Sequence, residues 1–104
     1  MGRLFSLTYA TAAVLLAVRG GHRYGFDVMD ATGLPDGTVY PILRRLERRG
    51  VLAAAWEDEA AARAEQRPPR RYYRLTPLGE QALAEVTDRF PALARLFDAD
   101  PETA

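Results

Sequence analysis

Four arginines are concentrated in residues 36–50, a segment with the pattern of a short amphipathic helix. Apolar residues at spacings of i, i+3, i+4 and i+7 form one face of that helix: Val39, Ile42, Leu43 and Leu46. Arg44 and Arg48 point away from this face, and Arg45 lies beside them. A guanidinium group can bind guanine O6 and N7, or phosphate oxygens, through paired hydrogen bonds. The segment therefore fits a recognition helix in the major groove of DNA, although an ordinary surface helix with solvated charges has the same pattern.

The residues before this helix predict a helix-turn-helix. Residues 24–32 have a second short helical pattern, and Gly33 can take the left-handed conformation that ends a helix. Asp36 is the expected N-cap of the arginine-bearing helix. Pro41 is expected near its first turn, where a missing N–H costs little. A helix, a glycine-containing turn and a basic helix in this order are typical of DNA-binding helix-turn-helix units.

Two strands are predicted after the helix-turn-helix, because the apolar period changes from 3.6 to 2. In residues 51–57 one face carries Leu52, Ala54 and Trp56. In residues 70–75 Tyr73 and Leu75 point inward, and the outward residues are Arg70, Tyr72 and Arg74. Residues 58–69 between them are acidic and alanine-rich, and are long for a hairpin loop, so we expect a mobile or functional loop. The predicted fold is mainly α with a two-stranded β wing, a winged helix-turn-helix.

Helices at both ends are predicted to form a dimer interface. Residues 7–18 are apolar nearly all round, but they are fewer than the about 20 residues that span a bilayer. A secretory signal is disfavoured because the run ends at Arg19 rather than at small residues. Residues 77–98 continue as a helix that Thr76 caps and Pro91 kinks or divides. The expected interface residues are Leu7, Val14, Leu83, Val86, Phe90 and Leu93. In the alternative, the C-terminal helix folds back on its own domain.

The composition fits a small cytoplasmic regulator with no membrane segment. We expect a winged domain over residues 1–76, a dimerisation segment over 77–98 and a tail over 99–104. The net charge is zero, but residues 67–76 carry four arginines and no acid, and residues 77–104 carry six acids against two arginines. The basic residues are thus concentrated on the helix-turn-helix and wing. There is no cysteine and a single histidine, and no phosphate-loop or metal-ligand spacing occurs, so we expect no enzyme activity, metal or cofactor.

The chain resembles the PadR-like winged-helix transcriptional regulators over about residues 4–80. The resemblance is carried by TAAVLLAV, HRYGFDV, TGLPDGTVYPILRRLERRGVL and RRYYRLTPLG, in this order and spacing. It implies a homodimeric repressor that binds double-stranded DNA at a palindromic operator and is often released by a small-molecule effector. The acidic residues 57–59 depart from the positive charge expected at a wing tip that contacts DNA.

The expected DNA-binding residues are Tyr24, Thr38, Tyr40, Arg44, Arg45, Arg48, Arg70 and Arg71. Arg44 and Arg48 are assigned to bases, whereas Arg70 and Arg71 are assigned to phosphates. Tyr40 is expected to donate its hydroxyl to a phosphate, the alternative being that it packs against Tyr24 or the neighbouring helix. Four aromatic residues could line an effector pocket or belong to the core or interface: Trp56, Tyr72, Tyr73 and Phe90. A winged helix that binds a protein instead of DNA is the second function left open.

Overall fold

Six helices and one antiparallel sheet make up residues 7–98, the part of the chain that the computed structural model describes. The elements are α1 (Tyr9–Arg19), α2 (Gly25–Thr32), α3 (Asp36–Arg48), β1 (Leu52–Trp56), α4 (Glu59–Ala64), β2 (Arg71–Leu75), α5 (Pro77–Arg89) and α6 (Pro91–Asp98). The expected tail over residues 99–104 lies outside the described residues. No helix within residues 7–98 is long and apolar enough to cross a membrane.

Helix α1 is the centre of the fold. It begins after Thr8, whose hydroxyl accepts a hydrogen bond from the backbone N–H of Thr11 at 3.1 Å. Every residue from Thr11 to Val18 is buried, and the helix packs against α2, α3, β2, α5 and α6. A helix that is apolar all round is thus covered by its own chain. The expectation that one of its faces needs a second subunit for burial is wrong.

Helices α2 and α3 form the predicted helix-turn-helix. Gly33 ends α2 with a φ of 73°, as expected for a left-handed C-terminal residue. All four residues of the α3 stripe are buried, which confirms the predicted apolar face. Two details differ from the prediction, because α3 starts one residue early. Asp36 is its first helical residue rather than its N-cap, and Pro41 lies beyond the first turn, on the exposed side.

The two strands form the predicted wing. They pair in antiparallel register from Leu52 opposite Leu75 to Trp56 opposite Arg71. On its other edge β2 receives one more contact, because the N–H of Tyr73 donates to the carbonyl of Arg23 at 2.7 Å. The connection between the strands is not a plain loop. Its alanine-rich sequence forms the short helix α4, as its high helix propensity allows.

Helices α5 and α6 return to the core of the same chain. Thr76 caps α5 by accepting the N–H of Gly79 at 3.1 Å, and Pro77 is its first helical residue, as predicted. Helix α5 ends at Arg89 and α6 begins at Pro91, so the proline divides the C-terminal helix in two. Helix α6 then packs on α1, where Phe90 meets Tyr9 edge to face with ring centroids 5.5 Å apart.

This return corrects the predicted dimer interface. Five of its six residues are buried in the core of a single chain: Leu7, Val14, Leu83, Val86 and Leu93. The sixth, Phe90, is partly buried against the same core. The structure therefore has the alternative arrangement, in which the C-terminal segment folds back on its own domain. Described residues on both sides of position 76 contribute to one core. The division into a winged domain over residues 1–76 and a dimerisation segment over 77–98 stays a prediction.

Candidate nucleic-acid interface

The exposed side of α3 carries the guanidinium groups of Arg44 and Arg48. Gly37, Pro41, Arg44 and Arg48 are all exposed, as the helical angle predicts. Within residues 7–98, no carboxylate lies at ion-pair distance from Arg44 or Arg48. Both side chains therefore retain their full hydrogen-bonding capacity for an anion or a base edge.

Arg45 points the other way, and its assignment to DNA is not supported by its position. Its Nη2 donates to the Thr11 hydroxyl of α1 at 3.1 Å, and its Nε is buried without a partner among the described residues. The side chain is half-buried between α3 and α1. The apolar stripe gives the angle at which Arg45 leaves the helix, but not the direction in which its long side chain then turns. Arg45 therefore joins the two helices instead of belonging to the exposed front of α3.

A groove of about 830 Å³ separates α3 and the start of α2 from the wing. We call it the wing groove. Its charged side chains are four arginines and one acid: Arg44, Arg67, Arg70, Arg71 and Glu47. Its other walls are largely aromatic. A concave, basic and aromatic surface beside an exposed helix is suited to binding a polyanion.

An ion pair crosses the floor of the wing groove. Nη2 of Arg71 on β2 donates to Oε2 of Glu47 on α3 at 2.7 Å, and this hydrogen bond raises the pKa of Arg71. Tyr73 lies buried beside the pair, and burial raises the pKa of its phenol. Arg71, expected to hold phosphate, is thus already occupied in the free protein. A phosphate can bind it only by sharing or displacing Glu47.

Arg70 lines the wing groove, and its guanidinium group lies against an aromatic ring. Its guanidinium carbon is 4.0 Å from the ring centroid of Tyr24, which places a cation over the ring face. Tyr24 in turn meets Tyr72 edge to face at 5.6 Å. Among the described residues no carboxylate pairs with the Arg70 side chain. Tyr24 thus orients Arg70 within the wing groove and leaves its N–H donors available.

Tyr40 combines the two arrangements that the sequence left open. Its ring packs against Gly25 so closely that a Cβ atom added there would be 2.2 Å from a ring carbon and 2.6 Å from the hydroxyl oxygen. The side chain is nevertheless 39% exposed and lines the wing groove. Thr38 is half-buried near the start of the same helix. Tyr40 therefore contacts the neighbouring helix while facing the wing groove.

One acid of the wing connection, Glu57, is paired within the connection itself. Both carboxylate oxygens of Glu57 accept hydrogen bonds from Arg67, at 2.6 and 2.9 Å. This pair is the main reason that the pKa of the Glu57 carboxyl is lowered to about 2, and that the pKa of Arg67 is raised. Arg67 was not among the residues expected to contribute to the site. The available signal was the presence of opposite charges at the two ends of the connection.

The four aromatic residues that could line an effector pocket do not lie together. Trp56 and Tyr73 line the wing groove, whereas Tyr72 packs against Tyr24. Phe90 lies elsewhere, against Tyr9 of α1. The four residues therefore do not surround one site. An effector pocket lined by all four, one of the two possibilities that the sequence left open, is not formed.

The profile of the transcriptional regulator PadR-like family matches residues 14–85, which include the helix-turn-helix, the wing and most of α5. The chain belongs to this family. An uncharacterised protein of Lysinibacillus sphaericus is 25% identical over 84 residues, which cover 73% of this chain and 72% of that protein. A PadR-family regulator from Clostridium difficile R20291 has the same fold, with a TM-score of 0.69, 19% identity and coverage of 88% of this chain and 96% of that one.

Two further solved structures are more similar in sequence. The PadR-family regulator from Eggerthella lenta has 28% identity and a TM-score of 0.59, over 82% of this chain and 76% of that one. BpsR of Bordetella bronchiseptica, whose DNA binding is regulated by 6-hydroxynicotinic acid, has 26% identity and a TM-score of 0.66, over 92% of this chain and 70% of that one. This PadR-like protein is accordingly a DNA-binding transcriptional regulator.

Proposed function

We propose that this PadR-like regulator is a homodimeric repressor that recognises a palindromic operator with the front of α3 and the wing groove. The proposal rests on Arg44 and Arg48, which lie on the exposed front of α3 beside a basic groove and have no carboxylate partner within residues 7–98. Arginine is the side chain that most often reads guanine in the major groove. A neutral chain with such a front can attract DNA to one face.

The proposed contacts divide into bases and backbone. Arg44 and Arg48 read base edges, because they lie on the side of α3 opposite its buried stripe. Thr38, Tyr40 and Arg70 hold phosphates, since they lie at the start of α3 and on the wing groove. Arg71 joins them only if a phosphate competes with Glu47. Arg45 is withdrawn from the set because its side chain is directed to Thr11.

The proposed dimer uses surface that a single chain leaves open. Leu96 is 71% exposed and Tyr9 is 59% exposed, and both border an apolar groove between α1, the end of α2 and α6. We place the interface there, in place of the buried residues expected from the sequence. Two copies related by a twofold axis present two α3 helices, and these match the two halves of a palindrome.

We also propose that a small molecule regulates this DNA binding. BpsR, a structural relative at 26% identity, is regulated by 6-hydroxynicotinic acid. Small-molecule regulation in a protein of this fold supports the expectation of an effector for this chain.

The test begins with operator selection from genomic fragments, followed by footprinting and binding isotherms. We expect a two-fold symmetric footprint and affinity that falls with salt. The double variant Arg44→Gln, Arg48→Gln should lose specific binding. Arg89→Gln at the exposed end of α5, which lines neither the wing groove nor the proposed dimer groove, is the control and should bind normally. Absence of specific binding to any fragment would contradict the proposal and favour a protein partner.

A further inference from the structure

Two aromatic side chains at the rim of the wing groove are left largely uncovered by the described part of the chain. Phe26 at the start of α2 is 70% exposed, and Trp56 at the end of β1 is 66% exposed. Large apolar rings exposed side by side on one surface mark a binding surface more often than single exposed residues do. The folded chain gains little from these two rings where they stand.

The other aromatic residues of the wing groove are already engaged. Tyr24 has a guanidinium over its face, Tyr40 packs on Gly25, and Tyr73 is buried. Arg71 approaches Trp56 with its guanidinium carbon 5.2 Å from the ring centroid, yet two thirds of the side chain remains open. Phe26 and Trp56 are thus the two rings with a flat surface free for a ligand.

The charge of the wing groove selects a ligand with several negative charges. Its lining holds four arginines against one glutamate. Two of these arginines, Arg44 and Arg70, lack a carboxylate partner among residues 7–98. The expected ligand therefore combines phosphate groups with flat apolar rings.

A double helix supplies only half of this chemistry. Its phosphates are accessible, but its bases are stacked and paired, so their flat faces cannot reach Phe26 or Trp56. An unpaired strand offers both groups, and proteins that bind single strands combine a basic groove with aromatic rings on which bases stack. A groove of about 830 Å³ is also within the range that encloses small ligands, so it can hold a short piece of a strand.

We infer that the wing groove binds an unpaired DNA strand, with bases stacked on Trp56 and Phe26 and phosphates held by Arg44 and Arg70. This activity rests on the DNA-binding function proposed for the same groove, but it is not needed for duplex recognition. It would keep the regulator on DNA whose strands have separated next to its operator.

Trp56 is the only tryptophan in the chain, so its emission reports directly on the site. The probe is an oligothymidylate of about 12 nucleotides, within the usual size of a single-strand site. Its controls are an abasic strand of equal length, which keeps the phosphates, and a closed hairpin duplex without unpaired bases. We expect quenching by the oligothymidylate and little change with the duplex at equal occupancy. The abasic strand should bind about 30-fold more weakly or worse, because it loses the bases on both Trp56 and Phe26 and each is expected to contribute at least about 5-fold.

Variants separate stacking from charge and from folding. Trp56→Phe keeps a flat ring and should keep most single-strand affinity in an anisotropy assay with a labelled strand. Trp56→Leu is apolar without a flat ring and should lose about 5-fold or more, as should Phe26→Leu, with duplex affinity within twofold of the parent protein. Thermal unfolding of each variant should match that of the parent, because both rings are largely exposed.

Three results would overturn the inference: equal affinity for the abasic strand, equal quenching by the duplex, or equal losses of single- and double-strand binding in Trp56→Leu. A response of Trp56 to an aromatic acid such as 2-naphthoate, without one to the oligothymidylate, would also overturn it in favour of a small-molecule site. Failure of duplex binding with intact single-strand binding would instead reject the proposed operator function alone.

Discussion

The neighbouring residues Arg44 and Arg45 give the sharpest test of the interface. They have the same side chain on the same helix, but Arg44 is exposed without an ion pair among residues 7–98, whereas Arg45 donates to Thr11 of α1. Arg44→Met and Arg45→Met remove each charge while keeping an unbranched stem and high helix propensity. Any difference between the two variants therefore reports on what the guanidinium groups contact.

Arg44→Met should act on DNA binding alone. The side chain makes no ion pair among the described residues, so the free energy of unfolding should change by less than about 0.5 kcal/mol. Losing a bidentate base contact should cost about 1–3 kcal/mol per half-site, which corresponds to about 5- to 150-fold in affinity. The loss should be largest on the operator and small on scrambled DNA.

Arg45→Met should act mainly on stability. Hydrogen bonds of charged groups contribute about 1.5–3 kcal/mol, and Arg45 is only half-buried, so we expect the free energy of unfolding to fall by about 1–2 kcal/mol. Thr11 keeps its hydrogen bond from the Thr8 hydroxyl at 3.0 Å, so no buried hydroxyl is left unpaired. Operator affinity should remain within about threefold, since the Arg45 guanidinium group is directed to Thr11 of α1.

Stability is measured by urea unfolding, monitored by far-ultraviolet circular dichroism. DNA binding is measured by fluorescence anisotropy of labelled DNA at several salt concentrations. A large operator-specific loss for Arg45→Met with unchanged unfolding would refute this assignment and restore Arg45 to the DNA-binding residues. Equal losses of Arg44→Met on operator and scrambled DNA would refute the base contact. A fall of about one per contact in the slope of log K against log salt would then identify phosphate binding.

Four further predictions follow from single contacts. Tyr40→Phe should lower DNA affinity by about 0.5–1.5 kcal/mol without changing Tm, and a lowered Tm with unchanged affinity would make Tyr40 structural. Gly79→Ala should cost about 1–3 kcal/mol of stability because its Cβ would lie 2.3 Å from the Val51 carbonyl oxygen, whereas Gly37→Ala, with open space around it, should be neutral or stabilising. Leu96→Asp should reduce self-association in sedimentation, and a parent protein monomeric at micromolar concentration would exclude the dimer. The parent protein should lose stability as the pH falls from about 4.5 to about 2, because the Glu57 pKa is lowered from the first value to the second. Glu57→Gln should lose less stability over this range. Equal acid sensitivity of the two proteins would contradict the Glu57–Arg67 pair.

The features predictable from the sequence were those that neighbouring residues determine. The α3 stripe, the left-handed Gly33 and the Thr76 cap with Pro77 each follow from a pattern a few residues long, and all three are present. The wing strands also follow from local alternation. The order of these pieces along the chain predicts a winged helix-turn-helix, and the resemblance to the family agrees with it.

The features that were missed depend on contacts between distant residues. The burial of Leu83 and Leu93 by their own chain depends on the turn at Phe90 and Pro91, which returns α6 to α1. Local periodicity reveals that such residues are buried, but not which chain covers them. Arg45 is a similar case, because its partner Thr11 lies 34 residues away in the sequence.

The arrangement of ion pairs explains how a chain of zero net charge can present a basic surface. Near the wing, Glu47 is paired with Arg71 and Glu57 is paired with Arg67, so each acid neutralises one specific arginine. Because the Glu47 pair joins α3 to β2, it also holds the wing beside α3. The remaining cations, such as Arg44 and Arg70, are left without acids within residues 7–98 and face the space between these elements. Glu47 and Glu57 thus neutralise two arginines and also tie together the elements around the groove, so removing one of them should loosen the wing as well as add positive charge.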